Sequence, residues 1–142
     1  MTEIKLVDND ADLRRSYRVM AQLRPHLSEE AYVARVHHQE QHDNYRVVAL
    51  YEGGEVRAVA GYRVATGLAL GRYLYVDDLV TDAEGRSHGH GKALLAWMEA
   101  EGKAQGCENL VLDSGVQRHA AHRFYLRERM DIACYNFRKA IR

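Results

Sequence analysis

A glycine-rich segment in the second half of the chain has the composition of an anion-binding loop. The segment Arg86-Ser87-His88-Gly89-His90-Gly91 follows a predicted strand and precedes a predicted helix, in which Leu94, Leu95 and Met98 share one face. Glycines let a ligand come close to the backbone, and the first amides of a helix lack intrahelical acceptors at the positive end of the helix dipole. A phosphate or pyrophosphate is therefore the predicted ligand.

Two common classes of phosphate loop do not fit this segment. A Walker A loop needs glycine where Arg86 stands and serine or threonine where Ala93 stands. A Rossmann fingerprint has three glycines near the first strand, whereas this loop lies past the middle of the chain. The simplest alternative is a tight turn between strand and helix that binds no ligand.

The hexapeptide resembles the acetyl-CoA pyrophosphate loop, Gln/Arg-x-x-Gly-x-Gly/Ala, of the GNAT superfamily of N-acetyltransferases. The resemblance implies that acetyl-CoA is the co-substrate, with its pantetheine arm paired to the backbone of the preceding strand and its pyrophosphate held by the loop amides. Between Val80 and Arg86 the chain is one residue longer than the common family spacing. The residues that the resemblance assigns to the cofactor are Leu79, Val80, Thr81, Arg86, Ser87, His88, Gly89, His90, Gly91, Lys92, Ala93, Ser114, His119, Phe124 and Tyr125.

A second motif of the family, Asn-x-x-Ala-x-x-x-Tyr, matches the helix that starts near residue 117. Ala121 and Tyr125 match the motif, whereas Arg118 stands in place of the asparagine. The contact that this asparagine makes with the CoA arm in the family is therefore expected from Ser114, His119 or a water molecule. Residues 117–128, followed by 135–140, are similar to the aminoalkylphosphonate N-acetyltransferase subgroup. The similarity indicates a subgroup and leaves the substrate open.

Tyr125 is the candidate general acid. Attack of an amine on a thioester needs a proton for the departing thiolate, and the ordinary pKa of a tyrosine, about 10, is close to that of a thiol. The alternative is that Phe124 and Tyr125 form an aromatic pair in the core. Only the position of Tyr125 in the family motif favours the catalytic role.

Asp78 is the candidate base or substrate anchor. On a strand, Val76, Asp78 and Val80 share one face while Asp77 lies on the other, so we expect only one of the two acids to face the cleft. In the resembled subgroup a glutamate occupies this position, and the shorter Asp78 suggests proton relay through water. The Val80 amide is the expected oxyanion donor. The alternative for both aspartates is a solvated strand end.

The order of predicted elements is β-α-α-β-β-β-α-β-α-β. Asn9 or Asp10 caps the first helix, Pro25 ends it, Ser28 caps the second helix, and Gly53-Gly54 joins a hairpin. Further elements are a strand over 72–81, a helix over 117–129 and a last strand over 132–137. The GNAT resemblance implies an α+β (α/β) acyl-CoA N-acyltransferase fold with four helices and a mixed sheet of six to seven strands.

Composition limits the classes of protein. The chain has 142 residues, 46% of them hydrophobic, which predicts a single domain over 1–142. Twenty basic residues balance twenty acidic ones, which argues against a nucleic acid or a membrane surface as partner. Two cysteines, Cys107 and Cys134, do not make a disulfide scaffold, and no signal peptide is evident. We expect a cytoplasmic protein.

Eight histidines raise the question of a metal site. His38 and His42 stand four residues apart, but they do not form the His-Glu-x-x-His zinc motif, and no third ligand is evident. Surface histidines are the simpler interpretation, so no residue is assigned as a ligand. Members of the resembled subgroup can depend on a divalent ion, which leaves a metal open and unplaced.

The sequence therefore predicts an acetyl-CoA-dependent N-acetyltransferase that acts on a primary amine of a small molecule by direct attack in a ternary complex. The alternatives are a catalytically silent acyl-CoA-binding or interaction module and a protein amine acetyltransferase. We expect the acceptor pocket between the two N-terminal helices, the strand from Val56 and the last hairpin. Arg63, Arg72 and Arg118 could contact an anionic acceptor, and a homodimer stays open.

Overall fold

The computed structural model describes residues 1–85 and 88–142. The chain forms two compact units, residues 1–111 and 112–142, which are described separately. The strands are β1 Thr2–Leu6, β2 Tyr45–Glu52, β3 Glu55–Gly67, β4 Gly71–Thr81 and β5 Asn109–Leu112, and the helices are α1 Asp10–Leu23, α2 Glu29–His42, α3 His90–Ala104 and α4 His119–Arg127, with a short 3-10 turn at Ala83–Gly85.

The predicted helix caps are confirmed. The Asn9 side chain accepts from the Asp12 amide at 2.8 Å at the start of α1. Ser28 does the same for α2, where its hydroxyl accepts from the Ala31 amide at 3.1 Å. Each bond satisfies an amide that the helix itself leaves unpaired, which fixes where the two helices begin on either side of Pro25.

The sheet has the strand order β1-β2-β3-β4-β5 and is mixed. Strands β1 to β4 are antiparallel neighbours. Gly53 and Gly54 both have positive φ, as the tight turn between β2 and β3 requires. The described residues contain five strands, so the expectation of six to seven is wrong.

The predicted last strand over 132–137 is also absent from the described residues, because 130–142 contain neither helix nor strand. Ile132 and Phe137 are 76% and 93% exposed. Their alternating apolar and β-forming side chains gave the strand prediction, but a strand also needs a hydrogen-bonded neighbour, and sequence periodicity does not supply one.

Helices cover both faces of the sheet in the first unit. The apolar cluster joins side chains of α1 and α2 to Val47, Ala49 and Tyr51 of β2. The intervening Val48 and Leu50 point to the other face and are equally buried. On β3 and α3, Tyr62 and Trp97 pack edge to face at 6.0 Å. This double cover explains why β2 is apolar along almost its whole length.

Candidate active site

A bulge in β4 determines on which side of the strand its two acidic residues, Asp77 and Asp78, lie. Strand β3 pairs Gly61 with Asp78 and Tyr62 with Val76, so Asp77 is one residue extra on the β4 side. The extra residue interrupts the alternation of faces. Asp77 and Asp78 consequently line the same cavity. The prediction that only one of the two would face the cleft is wrong, because it assumed an unbroken strand.

Asp78 is held by one donor on each carboxylate oxygen. Arg24 Nε, from the end of α1, donates to Oδ1 at 2.9 Å, and the Tyr45 hydroxyl, from β2, donates to Oδ2 at 2.7 Å. The Asp78 side chain is only 13% exposed. Burial, and then the negative charge of Asp78, raise the pKa of Tyr45 well above its ordinary value, so this phenol stays protonated as a donor. The carboxylate is therefore fixed in place.

Gly61 makes room for this arrangement. A Cβ built on Gly61 would overlap with the hydroxyl end of the Tyr45 ring. Tyr45 is itself 2% exposed and lies among core side chains. A glycine inside a strand often marks such a close approach. This feature of the sequence could have indicated the Tyr45–Asp78 contact, which sequence reasoning missed together with Arg24.

Asp77 has a separate partner in Arg63 on β3. The guanidinium donates from Nε at 2.7 Å and from a terminal nitrogen at 2.9 Å, which is a bidentate pair. Burial raises the pKa of Asp77, and the hydrogen bond from Arg63 opposes that rise. Arg72 Nε donates to the carbonyl of Gln105 at 2.6 Å. Two of the three arginines expected at an anionic acceptor therefore already have other partners.

The cavity beside these acids has a volume of about 290 Å³. Its walls come from α1, the connection to α2, α2 itself, β2 and β4, and so include the two N-terminal helices. Strand β2, through Tyr45, lines it in place of the strand from Val56. The lining residues are Met20, Arg24, His26, Leu27, Tyr32, Arg35, Val36, Gln39, Tyr45, Asp77 and Asp78.

Asp82, just beyond β4, anchors the start of the glycine-rich loop. Its side chain is 1% exposed and accepts from Arg18 at 2.8 Å and from Gln22 at 3.2 Å, both on α1. Gln22 in turn accepts from the Ala83 amide at 2.9 Å. The hydrogen bond from Arg18 lowers the pKa of Asp82 against the opposing effect of burial. Side chains of α1 and its end are thus hydrogen-bonded to Asp78 in β4 and to Asp82 just after it.

The loop leads to an open helix start. Arg86 and Ser87 lie outside the described residues, and His88 and Gly89 precede α3. Gly89 has φ +79°, and in the described part of the chain no side chain caps the helix. Ala93 donates to the carbonyl of Gly89 at 3.0 Å, which leaves the amides before it, including those of Gly91 and Lys92, without intrahelical acceptors.

Two buried polar atoms at the predicted cofactor residues have no hydrogen-bond partner among the residues described. One is Nδ1 of His90, a residue that is only 5% exposed. The other is Oγ of Ser114 in the second unit. Buried polar groups are normally satisfied. These two atoms are suited to partners that the protein chain itself does not supply.

The end of β4 carries the predicted pantetheine residues. Leu79, Val80 and Thr81 pair with Ala60, Val59 and Ala58 of β3 on one side. On the other side, β5 has four residues against eleven in β4, and the Glu108 amide just before β5 donates to the carbonyl of Arg72 near the start of β4. A strand of four residues that begins there is too short to pair along all of β4.

The second unit carries the remaining predicted residues on and before α4. Phe124 and Tyr125 have ring centroids 5.3 Å apart, and both rings are partly buried. Burial raises the pKa of Tyr125, and the charge of Arg118 opposes the rise. Tyr125 thus keeps its proton at neutral pH. His119 starts the helix, with its ring 6.1 Å from that of His122.

No group of three or more His, Cys, Asp or Glu side chains within 1–85 and 88–142 is arranged to hold a metal ion. The structure therefore gives no support to the divalent ion that sequence resemblance left open. In the same ranges, no helix combines the length and the apolar character needed to cross a bilayer.

A model of the acetyltransferase (GNAT) family matches residues 11–130. The chain belongs to the GNAT family. It is 35% identical to the uncharacterized N-acetyltransferase YhdJ of Bacillus subtilis (strain 168), over 99% of this chain and 100% of the relative. It is 38% identical to the aminoalkylphosphonate N-acetyltransferase of Salmonella typhimurium (strain LT2), over 46% of this chain and 43% of that enzyme.

Solved structures agree on the fold. The aminoglycoside N-acetyltransferase AAC(6')-Iy, in complex with CoA, superposes with a TM-score of 0.84 at 16% identity, covering 98% of this chain and 95% of that one. The family match and the YhdJ relationship show that this GNAT protein is an acetyl-CoA-dependent N-acetyltransferase. The predicted family and enzyme class are confirmed.

Proposed function

We propose that this GNAT enzyme acetylates a primary amine of a small molecule by direct attack in a ternary complex. The observation that carries the proposal is the position of Asp78, which lies in the wall of a cavity of about 290 Å³ and is fixed by Arg24 and Tyr45. Ligand pockets begin at about 300 Å³, so the cavity suits a small acceptor better than a protein surface.

Asp78 binds the substrate ammonium and accepts its proton, through a water molecule where the distance requires it. A carboxylate has about four lone-pair sites, and Arg24 and Tyr45 use two of them, so Asp78 can still accept from an amine. Two donors fix the orientation of the Asp78 carboxylate, so its main contribution is to anchor the substrate ammonium. From that position Asp78 also takes the proton of the anchored amine.

The neutral amine then attacks the thioester carbonyl carbon, and the tetrahedral oxyanion forms beside the Val80 amide. Collapse of this intermediate breaks the carbon–sulfur bond, and Tyr125 gives its proton to the departing thiolate. The second proton of the attacking nitrogen, released as the amide forms, returns to the Tyr125 phenolate through water. The products are the acetylated amine and CoA. Cys107 and Cys134 are free thiols that do not line the cavity, which supports direct transfer over an acetylated cysteine.

Acetyl-CoA is assigned to the far end of β4, the loop and the start of α3. The assignment is supported by the open α3 amides, by the unpartnered Nδ1 of His90 and by the short length of β5. Arg86 and Ser87 remain part of the proposal from their motif alone. Ser114, His119 and Phe124 remain proposed cofactor contacts from the family resemblance, and the unpartnered hydroxyl of Ser114 favours a ligand contact there.

We further propose that residues 1–142 act as one domain in the cytoplasm. The family model spans 11–130 and so includes parts of both units, which supports a single functional domain. The two free cysteines fit a reducing compartment. A homodimer is supported by the exposed apolar side chains of residues 132–141, and light scattering of the purified protein tests it.

The proposed chemistry is tested by Tyr125→Phe in a CoA-release assay. Loss of a general acid should lower kcat by about 100-fold or more, while acetyl-CoA affinity by calorimetry stays within about twofold. Tyr135→Phe is the matched control, because Tyr135 is 84% exposed and has no assigned role. Equal turnover in the Tyr125 variant would remove Tyr125 from the mechanism. Acetyl-CoA binding without CoA release from any amine would support the silent binding module instead.

A further inference from the structure

Both carboxylates that line the cavity already have an arginine partner. Asp78 is paired with Arg24, and Asp77 is paired with Arg63, which lies just outside the lining residues. Arg35, on α2, also lines the cavity, and it has no hydrogen bond or ion pair with any residue that the structure describes. The guanidinium of Arg35 is therefore the one in the described cavity lining that is not paired with a carboxylate.

Arg35 belongs to a group of unengaged donors on one side of the cavity. Gln39 follows Arg35 by one turn of α2 and lies on the same helix face. His26 lies in the connection between α1 and α2. The side chains of His26 and Gln39 have no partner within the described residues either, and all three side chains are at least partly exposed in the cavity wall. Within 1–85 and 88–142, no acceptor is bonded to these side chains.

The opposite side of the cavity is the one that suits an ammonium. Asp78 comes from β4, and its free lone pairs are the acceptors available to an amine there. An acceptor that spans the cavity would place its amine at Asp78 and a negative group at Arg35. A guanidinium holds a carboxylate or phosphonate through two parallel hydrogen bonds, so it fixes the orientation of the ligand as well as its charge.

We propose that the acceptor is a small amine that carries an anionic group, with the amine at Asp78 and the anion held by Arg35, assisted by His26 and Gln39. This inference rests on the proposed function and adds the substrate class and its specificity residue. It also excludes polycationic amines as preferred substrates. Both carboxylates in the wall are already matched by arginines, so a second ammonium would meet Arg35 with no acid to compensate it.

The test compares acceptors of similar length that differ in the second group. Propylamine has none, β-alanine has a carboxylate, 3-aminopropylphosphonate has a phosphonate, and 1,3-diaminopropane has a second ammonium. We expect kcat/KM to be highest for one of the two anionic amines, lower for propylamine and lowest for the diamine. The better of the two anionic amines identifies which anion the site prefers.

Arg35→Gln should lower the ratio of kcat/KM for the better anionic amine to that for propylamine by about tenfold, which is the effect of losing one charged hydrogen-bonded contact. Arg35→Lys should restore part of that ratio. Arg15→Gln is the matched control: Arg15 is on α1 outside the cavity, and the variant should keep the wild-type ratio.

Two results would overturn the inference while the proposed function stands. One is a preference of the wild-type enzyme for propylamine or the diamine, and the other is an unchanged ratio in Arg35→Gln. Failure of the proposed function has a different outcome, because then no amine in the series would release CoA. The acceptor series therefore separates the two failures.

Discussion

The proposed acetyl-CoA site and the proposed acceptor cavity draw on different parts of the chain and on different groups. The first is assigned to the glycine-rich motif and the start of α3, and the groups proposed to bind there are mainly backbone amides. The cavity brings Asp78 together with Arg24 and Tyr45, which lie 54 and 33 positions before it in the sequence, and the groups proposed to bind there are side chains. A contiguous backbone site leaves a motif in the sequence, whereas a dispersed side-chain site does not.

The difference also concerns stability. The first amides of α3 have no acceptor among the residues that the structure describes, so changes there should alter ligand binding more than folding. The residues around Asp78 are packed in the core and bonded to one another, so changes there should alter both. The following variants test how far this contrast holds, from the largest expected effect to the smallest.

Gly61→Ala should have the largest effect. The added Cβ overlaps with the Tyr45 ring, which is buried and cannot move without leaving Asp78. We expect a loss of about 3 kcal/mol in the free energy of unfolding, measured by urea denaturation, together with loss of acetyl transfer. Gly67→Ala in the same strand is the control, since its Cβ would meet Tyr73 at an ordinary 3.5 Å. Equal stability of both variants would show that Tyr45 is not constrained as described.

Asp82→Asn should have an intermediate effect. The variant leaves Arg18 and Gln22 without their charged acceptor, but Arg18 is 54% exposed and water screens the pair, so we expect a loss of about 1 to 2 kcal/mol at pH 7. The folded state lowers the pKa of Asp82, so its contribution is present above the ordinary carboxyl pKa and is lost as the pH falls toward the lowered value.

The difference in stability between wild type and Asp82→Asn should therefore be largest near pH 7 and shrink as the pH falls below about 4. Urea denaturation at a series of pH values measures it. Asp131→Asn is the control, because Asp131 is an exposed carboxyl in the C-terminal segment with no partner among the residues described. A difference that stays constant with pH would contradict the assigned charge pairing.

Some features of the fold and of the candidate site could be predicted from the sequence, and others could not. The caps at Asn9 and Ser28 and the hairpin at Gly53-Gly54 are local, so residue type and spacing were sufficient for them. The bulge at Asp77 was not predictable in this way, because it depends on the register between β3 and β4. The partners of Asp78 likewise depend on how α1 and β2 pack, and periodicity carries no information about which distant side chains meet.

The strand expected over 132–137 is an element that was predicted from the sequence but is absent from the structure. Its residue types favour a strand, yet those residues are exposed and irregular in the structure. β-propensity describes how well side chains fit a pleated, half-buried surface, and it does not identify a neighbouring strand. Local composition was therefore sufficient for caps and a tight turn, which form within a few residues, and insufficient for a strand, which needs a hydrogen-bonded neighbour.

Glu30→Gln should have the smallest effect and sharpens the contrast between exposed and buried charge pairs. Glu30 and Glu29 both accept from Arg14 and connect α2 to α1, but the Glu30 side chain is 79% exposed. Solvent and salt screen such a pair, so its shift in urea midpoint should be less than about a quarter of that of Asp82→Asn, and 0.5 M salt should reduce it further. A shift as large as that of Asp82→Asn would mean that the helix pair, rather than burial at the end of β4, determines how firmly α1 is held.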